Sequence, residues 1–292
     1  MKRRHLIQAG TLGAVSLAAA GLAHGQGAAG PIDFEQTIGQ IEMDSGGRLG
    51  VAILDTGRQR LWSHRGAERF PMCSTFKFLL AAQVLSRVDQ GLDRLDRPVA
   101  VRASDLIPYA PVTGPRVGGA PMTVAELCDA AVTLSDNVAA NLLMRDAGGP
   151  AALTAYARSL GDDFTRLDRI EPELNEAAPG DPRDTTTPEA MLRTMQKIVL
   201  GQALSPVSRE YLTRSLLASK TGDRKLRAQL PPGWSVGDKT GAGANGTNND
   251  IGVFWPPGRA PLLVTAYLTG TTADAATRDL ALARVGRLAA SL

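Results

Sequence analysis

The sequence predicts an α+β fold: an antiparallel sheet built from both ends of the chain, terminal helices lying on it, and an all-α lobe inserted between. Three observations predict it. Stretches with strand character lie near the two ends only, at Arg48–Leu54 and Arg60–His64, then at Ser235–Thr240, Ile251–Trp255 and Leu262–Leu268. From Phe76 to about Arg214 the apolar positions recur at helical spacing instead. Turn signals, Thr56-Gly57 and Pro256-Pro257-Gly258, join neighbouring strands closely enough to make them antiparallel. The expected division is an α/β lobe from 26–66 and 217–292, an all-α lobe from 67–216, and a cleft between them that holds the active site.

Taken in order, residues 1–25 read as an export signal. Met1-Lys2-Arg3-Arg4 gives a basic start, small apolar residues follow, and Ala23-His24-Gly25 offers a small-x-small cleavage site. Arg3-Arg4 before His5-Leu6-Ile7 resembles a twin-arginine signal, with an ordinary secretory signal as the alternative. Phe76 to Leu92 forms a long apolar helical run. Val124, Leu127, Ala131 and Leu134 mark a second helix, Leu142 and Leu143 a third, and Met191, Leu192, Met195, Ile198 and Val199 a later one. Between them, Pro172, Pro179, Gly180 and Pro182 break any helix across 166–184, so this stretch is an irregular surface loop. Ordered loops of that length are uncommon without a function. Ala275–Leu292 is a closing amphipathic helix.

Charge and composition exclude several functions. The formal net charge of +3 comes from Lys2, Arg3 and Arg4, and setting these aside leaves 29 basic against 29 acidic residues. A nucleic-acid partner has no electrostatic footprint here. No cysteine near the cleavage site suggests a lipid anchor, and no later apolar run could span a bilayer. The reading is an exported, periplasmic or secreted monomer. Of three histidines, His5 and His24 fall in the signal, so His64 alone remains; this argues against a Ser-His-Asp triad and a multi-histidine metal site, and no metal or other cofactor is expected. The two cysteines, Cys73 and Cys128, read as free, buried thiols.

Chemistry without histidine points to Ser74-Thr75-Phe76-Lys77 at the head of the apolar helix. Positions i and i+3 share a helix face, which sets an amine one turn from the Ser74 hydroxyl, close enough to take its proton. A Ser-x-x-Lys arises by chance about once in a chain of this length. Lysine is scarce here, however, and none of the others, at 2, 197, 220, 225 and 239, has a serine three residues before it. Ser135-Asp136-Asn137 lies between helical runs and supplies a hydroxyl and an amide, or else a helix cap. Lys239-Thr240-Gly241 follows an apolar strand start. Its duplicate, Lys220-Thr221-Gly222, leads into a polar loop and is set aside.

With Glu171-Pro172-Glu173-Leu174-Asn175, these motifs in this order resemble the class A serine β-lactamases. Phe70-Pro71-Met72-Cys73-Ser74, Tyr109-Ala110-Pro111-Val112, Ala139-Ala140-Asn141-Leu142-Leu143, Arg183-Asp184-Thr185-Thr186 and Gly246-Thr247-Asn248-Asn249-Asp250 extend the match over the whole mature chain. The resemblance implies hydrolysis of the β-lactam ring of penicillin- or cephalosporin-type antibiotics through a serine acyl-enzyme, and hence antibiotic resistance. Ser74 would be the nucleophile, with Lys77 or Glu171 taking its proton. The amides of Ser74 and Ala242 would form the oxyanion hole. Ser135 would relay a proton to the departing nitrogen, and Glu171 with Asn175 would activate the hydrolytic water. Asn137, Lys239, Thr240, Gly241 and Tyr109 would bind substrate, Arg169 and Asp184 would pin the loop 166–184, and the Glu171–Pro172 peptide would be cis.

Three departures stand out. Asn248 replaces an arginine that holds the substrate carboxylate in many relatives, leaving Arg278 or Lys225 as substitute cations. Ala81 stands where Cys128 would find its usual partner. Gly243 stands where carbapenem-hydrolysing relatives carry a cysteine to bridge Cys73. A penicillin-sensitive DD-peptidase or an acylated sensor that never turns over would share Ser74 and Lys77, and Glu171 with its loop speaks against both.

Overall fold

The computed structural model describes residues 33–292, and the expected signal, 1–25, lies outside the described residues. Helix α1 (Phe34–Ser45) starts where the Asp33 carboxylate accepts from the Gln36 amide and ends at Gly46, whose φ of 64° suits a residue without a side chain. The sequence signals had not located this helix individually. Strands β1 (Arg48–Asp55) and β2 (Arg60–His64) follow as an antiparallel pair. Strand β3 (Phe70–Pro71) leads through a 3₁₀ turn, Cys73–Thr75, into α2 (Phe76–Asp89). This helix stops short of the expected Leu92, because the chain turns over at Gly91 with φ 71°.

Two-residue strands β4 (Pro98–Val99) and β5 (Met122–Thr123) pair with each other. Then come α3 (Val124–Thr133), α4 (Asn137–Asp146) and α5 (Gly149–Ser159). The loop 166–184 carries one 3₁₀ turn, Glu173–Asn175, and ends at β6 (Thr185–Thr186), which pairs with β3. Helix α6 (Pro188–Met195) passes into a π turn, and α7 (Pro206–Leu217) precedes three long strands, β7 (Ser235–Ala242), β8 (Asn248–Trp255) and β9 (Leu262–Thr269). Helix α8 (Ala275–Ser291) is capped by Asp274, which accepts from the Thr277 amide.

The main sheet runs β2-β1-β9-β8-β7 and is antiparallel throughout. The two ends of the chain meet at the β1–β9 pairing, Val51 opposite Ala266, as the sequence implies. Strand β9 is central and buried along its length, which is why it reads as a continuous apolar run. Its alternate residues serve two cores: Leu262, Val264, Ala266 and Leu268 face α1 and α8, while Leu263 and Tyr267 join the core of α2 to α7. No helix among the described residues is long and apolar enough to cross a membrane. Strand β7 is one edge of this sheet yet is buried between its first and last residues, and that position matters for the site.

Candidate active site

Ser74 lies in the 3₁₀ turn rather than in α2 itself, and the turn is tight: Cys73 has φ 44°, in the left-handed region. Strand β7 presses directly on it. A Cβ on Gly241 would stand 2.8 Å from the Met72 carbonyl oxygen and 3.2 Å from the Ser74 nitrogen, so only glycine lets the strand edge approach this closely. Ala242, the next residue, is exposed at the end of the same strand.

Lys77 projects one turn further along α2 and is fully buried. Its ammonium donates to the Ser135 carbonyl at 2.8 Å and to Asn137 Oδ1 at 2.5 Å, and pairs with Glu171 Oε1 at 3.0 Å. The Ser74 hydroxyl donates to the same Glu171 oxygen at 3.2 Å. The i, i+3 spacing suggested a direct Ser74–Lys77 hydrogen bond; instead both groups converge on Glu171. The reason is tertiary, since the loop 166–184 brings a carboxylate to a point both can reach. Burial lowers the Lys77 pKa, and the Glu171 charge opposes that shift.

Ser135 joins α3 to α4 with φ 59°. Next to it, Asp136 is the N-cap of α4 and accepts from the amides of Ala139, Val112 and Thr113 and from the Thr113 hydroxyl. The tripeptide is therefore both helix cap and part of the constellation. Lys239 of β7 donates to Ser135 Oγ at 3.0 Å, which leaves that hydroxyl between two lysines, with Lys77 Nζ at 3.5 Å. Lys239 is fully buried; desolvation first, and the Lys77 charge second, bring its pKa down to about 7. Asn137, expected to face substrate, spends its carbonyl on Lys77 and its amide on the Pro108 carbonyl.

Glu171 is held from three sides. Asn175 Nδ2 donates to its Oε2, and Asn141 of α4 grips its backbone, donating to the carbonyl at 2.8 Å and accepting from the amide at 3.0 Å. Asn141 appeared in the sequence only within a matching stretch, with no role of its own; a lone asparagine carries no local signal for a clamp across 30 residues. The Glu171–Pro172 peptide is cis. At the loop's end Arg169 Nε meets Asp184 Oδ2 at 2.6 Å, and the Asp184 carboxylate also accepts from the Asp168 and Arg169 amides.

The remaining positions divide. Thr240 donates to Thr221 Oγ1 at 2.7 Å, so the discarded duplicate Lys220-Thr221-Gly222 packs beside β7 rather than lying apart from it. Lys225, in the segment between α7 and β7, reaches the first residue of β8, and its ammonium is committed to Asp279 at 2.7 Å and to Asn248 Oδ1. Arg278 is half-buried on α8, with Nε 3.4 Å from the Asp274 carbonyl of its own helix. Tyr109 is 57% exposed with φ 67°, and its carbonyl accepts from the Asn137 amide. Cys73 and Cys128 are free and buried, and burial raises both thiol pKa values.

An antiparallel sheet edge, a serine turn and a buried lysine, with no histidine beside them among the described residues, define a serine acyl-transfer enzyme of the penicillin-recognising type. Residues 33–291 match the model of the "Beta-lactamase enzyme family". The chain belongs to that family, and its likenesses place it in class A. It is 47% identical to a β-lactamase of Streptomyces albus G over 95% of this chain and 90% of that one, and 48% identical to β-lactamase L2 of Stenotrophomonas maltophilia over 99% and 97%. Among solved structures, an ancestral (GNCA) class A β-lactamase superposes with a TM-score of 0.85 at 63% identity, covering 87% of this chain and 97% of that one.

Proposed function

We propose that this enzyme opens the β-lactam ring of penicillin- and cephalosporin-type antibiotics by acylation and deacylation of Ser74, and so confers resistance. The observation that carries the reading is the Glu171 carboxylate, which accepts from the Ser74 hydroxyl at 3.2 Å and from Lys77 at 3.0 Å. A trap needs a nucleophile only; turnover needs a base on the nucleophile's open side.

In acylation, Ser74 Oγ attacks the lactam carbonyl carbon while Glu171 takes its proton. The amides of Ser74 and Ala242 stabilise the oxyanion, each such donor being worth about 10²- to 10³-fold in rate. As the C–N bond breaks, Ser135 delivers a proton to the nitrogen and is replenished by Lys77, which recovers one from Glu171 along their 3.0 Å contact. In deacylation, Glu171, assisted by Asn175, takes a proton from water attacking the ester and returns it to Ser74 Oγ. Lys239, Thr240 and Gly241 bind the substrate's anionic end, with Lys225 or Arg278 adding charge. Asn137 and Tyr109 flank its side chain, and Arg169 with Asp184 keeps Glu171's loop in place. No cofactor enters this scheme. Residues 33–66 and 217–292 act as one lobe and 67–216 as the other. The export reading of 1–25 makes the enzyme periplasmic or secreted, and one chain carries every residue of the scheme, as a monomer requires.

The test is intact mass against time after mixing the protein with one equivalent of benzylpenicillin, with Ser74→Ala in parallel. Wild type should consume the drug and regain its free mass, and Ser74→Ala should do neither. A lasting adduct on wild type would instead mark a sensor or DD-peptidase, and hydrolysis by Ser74→Ala would remove the nucleophile assignment.

A further inference from the structure

The geometry points to Asn249 of β8 as the positioning residue that sets the separation of the two oxyanion-hole amides, an inference that rests on the Ser74 reading above. Its side chain is fully buried, and Nδ2 donates to two consecutive carbonyls, Pro71 at 2.9 Å and Met72 at 3.1 Å. Those two acceptors determine the amide's orientation, because its own oxygen in that place would face two lone-pair-bearing oxygens.

Met72's carbonyl is the hub of the nucleophile turn: it also accepts from the Thr75 amide at 3.2 Å and the Thr75 hydroxyl at 2.9 Å. Among the described residues, Asn249 thus supplies the side-chain hydrogen bond that ties that hub to the sheet. In the β7–β8 register Asn249 is directly opposite Gly241, the residue whose missing side chain lets β7 lie against Met72 and Ser74. Along one path, Asn249 reaches Ser74 N through the Met72 carbonyl; along the other, it reaches Ala242 N through the backbone pairing of β8 with β7. Both donors are therefore referenced to one residue of an interior strand, Ser74 N through its side chain and Ala242 N through its backbone. The turn itself has a left-handed Cys73, and its own bonds, from Thr75 to Met72 and from the Met72 amide to Asp184, do not reach the sheet strand that carries Ala242. An oxyanion hole works only when both donors stand about 2.7–3.1 Å from the developing anion, and displacement by about 1 Å can cost about 10²-fold.

The experiment compares wild type, Asn249→Leu, which keeps the volume without a donor, and Asn249→Ser, which keeps one short donor. Stopped-flow acylation by a chromogenic cephalosporin and inhibition by phenylboronic acid, whose tetrahedral adduct on Ser74 places an oxygen in the hole, are measured with circular dichroism as the folding control. For Asn249→Leu we expect acylation and boronate affinity to fall together by about 10- to 100-fold, with the non-covalent substrate dissociation constant within about threefold of wild type. Asn249→Ser should lie between. A folded Leu variant with wild-type acylation and boronate affinity, or one impaired only in substrate dissociation constant, overturns the assignment. Should the Leu variant fail to fold, Asn249→Ser decides alone, and wild-type values in it overturn the assignment too. Absence of a Ser74 adduct in wild type would bring down the underlying nucleophile reading, and that arm is read independently of the variants.

Discussion

Replacing Glu171 with glutamine preserves its shape and removes its charge. Three donors converge on this carboxylate: the Ser74 hydroxyl and Lys77 ammonium on Oε1, and the Asn175 amide on Oε2. A glutamine offers one acceptor oxygen, so its NH₂ must confront either Lys77 or Asn175, and no rotation satisfies both. Loss of a positioned general base typically costs about 10²- to 10⁴-fold, or about 2.7–5.4 kcal/mol on the deacylation barrier. Acylation should suffer less. Glu171 is the largest influence favouring the charged form of Lys77, against burial, so its removal lets the amine shed its proton and accept that of Ser74. Single-turnover mass spectrometry with benzylpenicillin should show the variant accumulating acyl-enzyme on Ser74 while wild type shows little. A deacylation rate within tenfold of wild type would refute the assignment of Glu171 as the base for water.

In the free enzyme, Lys239 with a pKa of about 7 should lose its charge as pH rises past neutrality, so kcat/KM for anionic penicillins should decline above about pH 7, and Lys239→Arg should abolish that break. The same depressed pKa adds stability with rising pH between about 7 and 10.5, because the unfolded chain keeps a proton that folded Lys239 has released; denaturation midpoints of Lys239→Met should lack this rise. Asp184→Ala leaves two loop amides without their acceptor and takes one partner from Arg169, which keeps Glu176, at a cost of about 1–3 kcal/mol, measurable by urea denaturation together with weakened deacylation. Lys225→Met should raise KM for benzylpenicillin by about tenfold and Arg278→Met by less than twofold, because Lys225 is half-buried beside Asn248 at the end of the β7–β8 pair and Arg278 holds only its own helix. Steady-state kinetics on the two variants decide it.

Local patterns carried much of this protein into view. The strands at 48–55, 60–64 and 262–269 were legible because β-branched and apolar residues cluster between turn signals, and α8 because its periodicity is helical. Ser74, Lys77, Ser135 and Lys239 were legible as motifs. Other features had no local signature. Asn141 and Asn249 act on backbone atoms 30 and 177 or more residues away, and an isolated asparagine looks the same whether it clamps a loop or faces solvent.

The duplicate Lys220-Thr221-Gly222 shows the limit most plainly. Judged by its flanks it belonged to a polar loop, yet the fold sets its Thr221 hydroxyl against Thr240. Likewise the helical spacing correctly put Lys77 one turn from Ser74, but could not foretell that Glu171 would intervene. Side-chain type, spacing and helix or strand period are properties of a few neighbouring residues, and by itself the sequence determined the chemistry available to this enzyme and the elements that carry it. Which groups meet at one carboxylate, which lysine is stripped of water to a pKa near 7, and which asparagine bonds the turn before Ser74 depend on burial and on contacts between distant segments. Only the packed tertiary structure decided these, because desolvation and hydrogen-bond geometry do not exist until the chain has closed on itself.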